Sequence, residues 1–301
     1  MRNQEGKTKS DVLLRAMDEA GHVRFFVADT RNMVEEMRKI HHASFTATAA
    51  MGRLLTMMTL LSLSLDNDGD ALTVNIKGDG PGGYLVGLSD VPGEARVTAQ
   101  NPEADLPSRT TDGKLDVGRW VGRDGTLSFV RSYALKEPFS GITPLVSGEI
   151  AEDFAQYFYQ SEQTASVVSL GVLVAPDATV QQAGGIFLQL MPDCTDEEVG
   201  RLETAVGQMP SITKILDEGL SPEELLQRYF ADFHPTVTEQ HTPHYACHCS
   251  REKMHRALLS LDVDSRRTLA EENHGAEVVC DFCRKTYQFS ADALKKPGEI
   301  W

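Results

Sequence analysis

The segments Cys247-His-Cys249 and Cys280-Asp-Phe-Cys283 stand at the two ends of a thirty-residue stretch, residues 250–279. They hold four of the five cysteines in the chain. A Cys-x-x-Cys turn lets two thiolates face one ion, and a second close pair completes a tetrahedron. Zinc binds such a set at about 2.3 Å per Zn–S bond, and a closed Cys₄ set is usually structural. The spacing therefore predicts one Zn²⁺ ion held by these four cysteines, although zinc ribbons and fingers seldom use a pair as short as Cys-x-Cys.

The charge of the chain is distributed unevenly. The 301 residues carry a net charge of −15, yet residues 241–301 hold 9 basic and 9 acidic side chains. All of the net negative charge therefore lies upstream of the paired cysteines. A nucleic-acid surface needs clustered Lys and Arg, so we expect no nucleic-acid partner.

The sequence also predicts a compartment. Residues 1–10 are polar and do not resemble a secretory signal, and the longest apolar run, residues 54–65, is too short to span a bilayer. Thiols at ligand spacing in a large chain favour a reducing environment over a disulfide scaffold. We therefore expect a cytoplasmic protein without membrane contact.

Residues 1–193 predict an α+β domain that is rich in antiparallel sheet. Short strands are expected at 23–27, 71–77, 84–88, 94–99, 126–133, 167–174 and 186–191. Helices are expected at 30–41, at 43–65, which is apolar nearly all round and should be buried, and at 148–160, with Ser147 as its N-cap. The motif Gly78-x-Gly80-x-x-Gly83 matches a dinucleotide fingerprint, but Pro81 lies inside it and a strand follows where a helix is required. We interpret it as a hairpin turn.

Residues 194–240 predict a helical linker. Thr195 precedes a glutamate at the third helical position, which is a capping-box pattern, and Ser221 is a candidate N-cap before a proline at the first helical position. The apolar residues recur at helical spacing and form a candidate client-binding or packing face: Val199, Leu202, Val206, Met209, Ile212, Ile215, Leu216, Leu225, Leu226, Tyr229 and Phe230. Residues 231–246 are predicted to be a loop.

Residues 241–301 predict a small metal-dependent domain. Ser250 and Ser265 are candidate caps of two helices, and a hairpin of residues 276–279 and 286–289 should surround the second cysteine pair. So few apolar residues cannot bury much core, so the metal should supply most of the stability.

The cysteine pattern, at the end of an acidic chain of this length, resembles that of the heat shock protein 33 family of redox-regulated chaperones. Residues 275–289 look like the zinc knuckle of that family, and residues 77–84 look like its glycine-rich hairpin. Cys194 has no place in the family motif.

The resemblance implies an ATP-independent holdase that is inactive while reduced and zinc-bound. Oxidation would form the Cys247–Cys249 and Cys280–Cys283 disulfides, release zinc and unfold the C-terminal domain and the linker. The apolar surface exposed in this way would bind unfolded client proteins. The family also implies a homodimer in the oxidised state.

Other interpretations remain open at the level of sequence. The four cysteines could form an inert structural site in a zinc-ribbon protein that binds nucleic acid or a partner protein. His244 and His248 could serve as ligands, but four cysteines already complete the set. No nucleophile–base or carboxylate constellation can be assigned, so we expect a protein that is not an enzyme.

Overall fold

The computed structural model describes residues 9–134 and 136–295, with the side chain of residue 136 left aside. The polar stretch of residues 1–10 falls almost wholly outside this range. Contacts divide the chain into two compact units, of which the first ends at Ala246 and the second begins at Cys247. Among the helices of the described residues, none combines the length and the apolarity needed to cross a bilayer.

The first unit alternates short strands with helices. In chain order its elements are β1 (Val12–Met17), β2 (Val23–Asp29), α1 (Arg31–His41), α2 (Phe45–Ser62), β3 (Ala71–Lys77), β4 (Tyr84–Val91), β5 (Glu94–Ala99), α3 (Val117–Val121), β6 (Thr126–Tyr133), β7 (Lys136–Pro144), α4 (Ala151–Ser161), β8 (Ser166–Val174), β9 (Val180–Leu190), α5 (Asp196–Gln208), α6 (Ile212–Asp217), α7 (Pro222–Tyr229), β10 (Thr236–His241) and β11 (His244–Tyr245).

Two sheets organise this unit. One has the order β10-β1-β2-β9-β8 and is antiparallel throughout; the other has the order β11-β5-β4-β3-β6-β7 and is antiparallel except for the β11–β5 pair. The prediction of an α+β fold rich in antiparallel sheet is therefore confirmed. Helix α2 packs on strands of both sheets, and every residue of it except Phe45 and Arg53 is buried. A helix that is apolar on all sides needs this central position, as its sequence predicted.

Strand β2 of the first sheet is buried on both faces. In β2, Phe26 and Ala28 join the large core cluster that surrounds α2. Phe25 and Val27 point to the opposite face and join a second cluster. Successive side chains of a strand alternate between faces, so a strand with no polar face must be covered on both sides.

The glycine-rich stretch is a hairpin turn, as predicted. It joins β3 to β4, whose pairing begins at Lys77 and Tyr84. A Cβ atom on Gly82 would lie 2.4 Å from the ring of Trp120, so only glycine permits this close approach. Because a strand follows the turn, the dinucleotide interpretation is excluded.

Several boundaries differ from the sequence prediction. Helix α4 begins at Ala151 rather than at residue 148. The capping group is Asp153 rather than Ser147. The Asp153 carboxylate accepts hydrogen bonds from the backbone N–H groups of Val146, Ser147, Gly148 and Ile150. The predicted loop 231–246 was wrong, because it contains β10, which pairs with β1, and β11, which pairs with β5. These strands lie at sheet edges and lack an apolar alternation. Strands β1 and β7 were not predicted either.

The second unit holds α8 (Arg251–Leu259), α9 (Val263–Glu271), β12 (Gly275–Val279) and β13 (Thr286–Ser290). Ser250 caps α8 as predicted, and the predicted hairpin is present as β12 and β13. The cap of α9 is Asp262 rather than Ser265; its carboxylate accepts from the backbone N–H of Ser265.

Candidate metal centre and the apolar face of the linker helices

Four thiols meet at one point of the second unit. The sulfur atoms of Cys247, Cys249, Cys280 and Cys283 all lie within 4.8 Å of one another. The Sγ–Sγ distance is 3.6 Å between Cys247 and Cys280 and 3.4 Å between Cys249 and Cys283. All four were predicted as ligands from their spacing, and the fold brings all four together.

The local backbone explains how each pair is presented. Cys280 follows β12, and its N–H donates to the Lys285 carbonyl at 3.0 Å, while the Arg284 N–H donates to the Cys280 carbonyl at 2.8 Å. Arg284 adopts a φ of 59°, which closes this tight turn between the strands. The other pair directly precedes α8, whose first turn is capped by the Ser250 side chain. One ligand pair therefore lies on a hairpin and the other at the start of a helix.

The dimensions of the cluster suit a tetrahedral ion. Four sulfurs placed about 2.3 Å from a central zinc ion would be separated by roughly 3.8 Å. The observed separations of 3.4 and 3.6 Å are slightly shorter than this edge, and both are far longer than a disulfide bond of about 2.05 Å. All five cysteines of the chain are free thiols. Neither His244 nor His248 belongs to the cluster.

The pKa values of the clustered thiols are shifted in different directions. Burial raises the pKa of the Cys247 thiol and also that of the Cys283 thiol. Burial also acts to raise the pKa of Cys249, but hydrogen bonds from the Tyr287 hydroxyl and the neighbouring thiols outweigh it and lower this pKa to about 7. The Tyr287 hydroxyl lies 3.1 Å from the Cys249 sulfur. No sequence pattern indicates this contact, because the strand period of residues 286–289 says nothing about a partner for the Tyr287 hydroxyl.

The apolar core of the second unit is small. Its buried members are Leu258, Ala270, Tyr287, Phe289 and Leu294. His255 stacks on the ring of Phe289 at 5.5 Å, and the Arg251 guanidinium lies 4.5 Å from the centre of that ring. A core of this size stabilises a domain only weakly without a further cross-link.

Helices α5, α6 and α7, here called the linker helices, lie in the first unit. The capping box predicted at Thr195 and the N-cap predicted at Ser221 are present: the Thr195 hydroxyl accepts from the Glu198 N–H, and the Ser221 hydroxyl accepts from the Glu224 N–H. Capping interactions of this kind contribute about 0.5–2 kcal/mol each. The helices therefore carry local stability but still need a surface on which to bury their apolar face.

The linker helices cover the outer face of the five-stranded sheet. The buried cluster between them combines sheet residues with helix residues, namely Leu14, Ala16, Val23, Phe25, Val27, Ile186 and Leu188 from the sheet and Leu202, Ile212, Ile215, Leu216, Leu225, Leu226, Phe230 and Phe233 from the linker segment. Val206, Met209 and Tyr229 are partly buried against it. Val199 is half-buried but lies outside this cluster.

Phe25 is the central contact of this interface. Its ring centre lies 5.3 Å from that of Phe230 and 6.2 Å from that of Phe233. Phe233 was missed because the sequence places it in a segment without helical or strand periodicity. The sheet residues of the interface were not predicted either, because the sequence of a single strand does not indicate which of its two faces will contact the linker helices.

A charged contact joins the first linker helix to the β1–β2 turn. His22 Nδ1 lies 2.9 Å from both carboxylate oxygens of Glu198. The Glu198 carboxylate raises the pKa of His22. The pKa of Glu198 is lowered to about 2, mainly by the hydrogen bond from the Thr195 N–H and next by the one from His22. Asp18, Asp193 and Arg201 are the other charged groups that act on this pair.

We expect the docking of α5 to depend on pH. Stabilisation by His22 is complete below its ordinary pKa of 6.5 and is lost as the pH rises through the raised folded value. Stabilisation by Glu198 is complete above its ordinary pKa of 4.5 and is lost only as the pH falls towards about 2. Raising the pH from 6 to 9 should therefore loosen α5 in the natural chain, whereas His22→Gln should remove this response.

The measurement is hydrogen exchange of the α5 amides, expressed at each pH as the ratio of protection in the natural chain to protection in the variant. The ratio cancels the intrinsic pH dependence of exchange. It should exceed one at pH 6 and approach one at pH 9. A ratio that stays constant across this range would show that the His22–Glu198 contact does not hold the helix.

Cys194 is not a member of the thiol cluster. Its side chain is half-buried and packs against the interface below the linker helices. Burial, together with the carboxylates of Glu198 and Asp18, raises the pKa of this thiol. A protonated thiol reacts slowly with oxidants, so Cys194 has the character of a packing residue.

Comparisons of the sequence and of the structure with known proteins all point to one family. The sequence model of the Hsp33 protein family matches residues 11–290. The 33 kDa chaperonin of Clostridioides difficile is 44% identical over 284 residues, which cover 94% of this chain and 97% of that protein. That of Staphylococcus carnosus is 40% identical over 285 residues, covering 95% and 96%. The crystal structure of the 33 kDa chaperonin (heat shock protein 33 homolog) from Thermotoga maritima superposes with a TM-score of 0.85 at 36% identity, covering 95% of this chain and 96% of that one.

Proposed function

The chain belongs to the Hsp33 protein family, and from this premise we propose that it is an ATP-independent holdase chaperone that oxidation switches on. In the reduced state the four cysteines hold one zinc ion and the linker helices stay docked. Oxidation converts the cysteine pairs to disulfides, after which the second unit and the linker helices lose their structure. The exposed apolar surface then holds unfolded client proteins in the cytoplasm, where thiols are kept reduced until stress.

The observation that carries this proposal is the closed cluster of four thiols. Four converging sulfurs with no carboxylate or histidine among them suit Zn²⁺ better than a hard cation. When bound, zinc would keep all four cysteines as thiolates and cross-link the hairpin to the start of α8. A closed set leaves no open position for catalysis, which favours a switch over an enzyme.

The thiols themselves supply the redox step. A cysteine thiolate attacks a peroxide, so that its sulfur becomes a sulfenic acid and the peroxide leaves as water or an alcohol. A second cysteine thiolate then attacks this sulfur, forming the disulfide and releasing hydroxide, which takes up a proton to form water. We assign the pairs as Cys247–Cys249 and Cys280–Cys283. Each disulfide removes two ligands, so two of them remove the whole set.

The interface below the linker helices is the surface that oxidation would expose. It includes Phe25, Val27 and Ile186 on the sheet and the apolar faces of three helices. A contiguous apolar patch of this kind, rimmed by a strongly acidic chain, suits an unfolded polypeptide and keeps the complex soluble. We also propose that the active form is a homodimer.

Tyr287→Phe should weaken zinc binding without removing a ligand. The hydroxyl that reaches the Cys249 sulfur at 3.1 Å would be lost, while the ring and its packing remain. Loss of a group that hydrogen-bonds to a metal ligand typically lowers metal affinity by about 10–100-fold. Competition of the protein with a chromogenic zinc chelator measures this shift. Tyr84→Phe, which removes an exposed hydroxyl from the first unit, is the matched control; equal affinities in the two variants would refute a role for Tyr287.

The test of the function itself is suppression of aggregation of a chemically denatured client enzyme. Reduced zinc-loaded protein and peroxide-treated protein are compared, with zinc release followed in the same samples. We expect zinc release and suppression of aggregation to appear together and to reverse with a reductant. The Cys194→Ser variant should behave like the natural chain. If zinc leaves while the client aggregates unchanged, the site is structural and the protein acts through a specific partner.

A further inference from the structure

A cavity of about 490 Å³ opens in the first unit, away from the linker helices. It lies where β2 and β9 of one sheet meet β6 and β7 of the other, beside the last residues of α2 and α4. Its volume falls within the usual range of about 300–1,000 Å³ for small-molecule sites. The thiol switch makes no use of it.

Two arginines face this cavity. The Arg24 side chain is half-buried and, within the described residues, has no hydrogen-bond or ion-pair partner. Arg131 donates to the Ser64 hydroxyl at 3.2 Å and lies 3.7 Å from the Glu162 carboxylate. One carboxylate therefore faces two guanidinium groups, which leaves an excess of positive charge. A half-buried guanidinium without a partner favours an anionic ligand, since carboxylates and phosphates match its planar set of donors.

The rim of the cavity supplies an aromatic platform. Phe139 on β7 lines the cavity and is 43% exposed, although most aromatic side chains of this unit are buried. Phe158 and Phe187 also line the cavity, and their rings stack 4.8 Å apart at 30°. A cavity lined by an exposed ring and a stacked aromatic pair can hold a flat ligand by ring stacking.

We propose that this cavity binds a small aromatic carboxylate, with the anionic group on Arg24 and Arg131 and the ring against Phe139. The ligand binds in the reduced resting state, because none of these residues lies in the interface that the linker helices cover. The site is thus separate from the proposed client surface, and its occupancy does not require oxidation.

The test uses reduced, zinc-loaded, full-length protein and isothermal titration with 2-naphthoate. We expect saturable binding of one naphthoate per chain, with affinity that falls as salt is added. The uncharged 2-naphthamide, which keeps the ring, and acetate, which keeps the charge, should each bind at least tenfold more weakly. Equal binding of naphthoate and naphthamide would overturn the assignment of the arginines.

Two variants locate the site. Arg24→Gln should weaken naphthoate binding at least tenfold, whereas Arg119→Gln, which removes the same charge from an exposed position of the same unit, should not. Phe139→Ala should also weaken binding, and it does so without touching the charge. Unchanged affinity in both Arg24→Gln and Phe139→Ala would refute the site. Because no oxidant is used, either result is independent of whether the redox switch operates.

Discussion

Ile215→Asp should produce a holdase that is active without oxidant. Ile215 is completely buried in the interface between α6 and the five-stranded sheet. The substitution removes apolar burial worth about 1.5–3 kcal/mol. It also places a carboxylate in an apolar site, where an unpaired charge costs several kcal/mol more. Because the buried apolar face is what holds these helices on the sheet, the linker helices should leave the sheet.

The expected result is suppression of client aggregation by the reduced variant, together with increased binding of a neutral apolar dye. Ile142→Asp is the matched control, because it makes the same chemical change at a side chain that is 65% exposed. The large core around α2 lies on the opposite face of the sheet and should stay folded. Retained hydrogen-exchange protection of α2 checks this. If the linker helices become exposed but the variant does not suppress aggregation, the client surface must lie elsewhere.

The sequence predicted the parts of the molecule that short-range patterns encode. The thiol cluster is defined by residue type and spacing, so four cysteines in two close pairs were sufficient to predict that they meet. The starts of α5, α7 and α8 were equally accessible, because a capping side chain acts within three residues of its helix. The turn between β3 and β4 was predicted correctly for the same reason, because its glycines lie within six residues of one another.

The missed features depend on contacts between distant segments. His22 and Glu198 are 176 residues apart, and Cys249 and Tyr287 are 38 residues apart. In β2, Phe25 and Phe26 are adjacent and equally apolar, yet one faces the linker helices and the other faces the central core. Only the pairing of strands and the placement of helices decide such assignments. Edge strand β10 was missed because half of its side chains face solvent and its sequence carries no apolar alternation.

The proposed dependence of the second unit on a zinc ion leads to the other large expected effect. Cys280→Ser replaces the most buried of the four ligands, whose side chain is 4% exposed. Structural zinc contributes about 10–16 kcal/mol of apparent binding energy in small domains. Five buried side chains cannot replace a contribution of that size. We therefore expect zinc content to fall from one ion per chain to nearly none and the second unit to unfold.

Metal analysis and the nuclear magnetic resonance spectrum of residues 247–295 measure the two consequences separately. Cys194→Ser removes a thiol outside the cluster and should keep both the zinc and the dispersed spectrum. A second unit that stays folded without metal would contradict the view that the thiol cluster is its main source of stability. If the unit unfolds, the reduced variant also tests the proposed switch directly. Loss of the metal should then be enough to activate holding, because in the proposed mechanism oxidation acts by removing the same ligands.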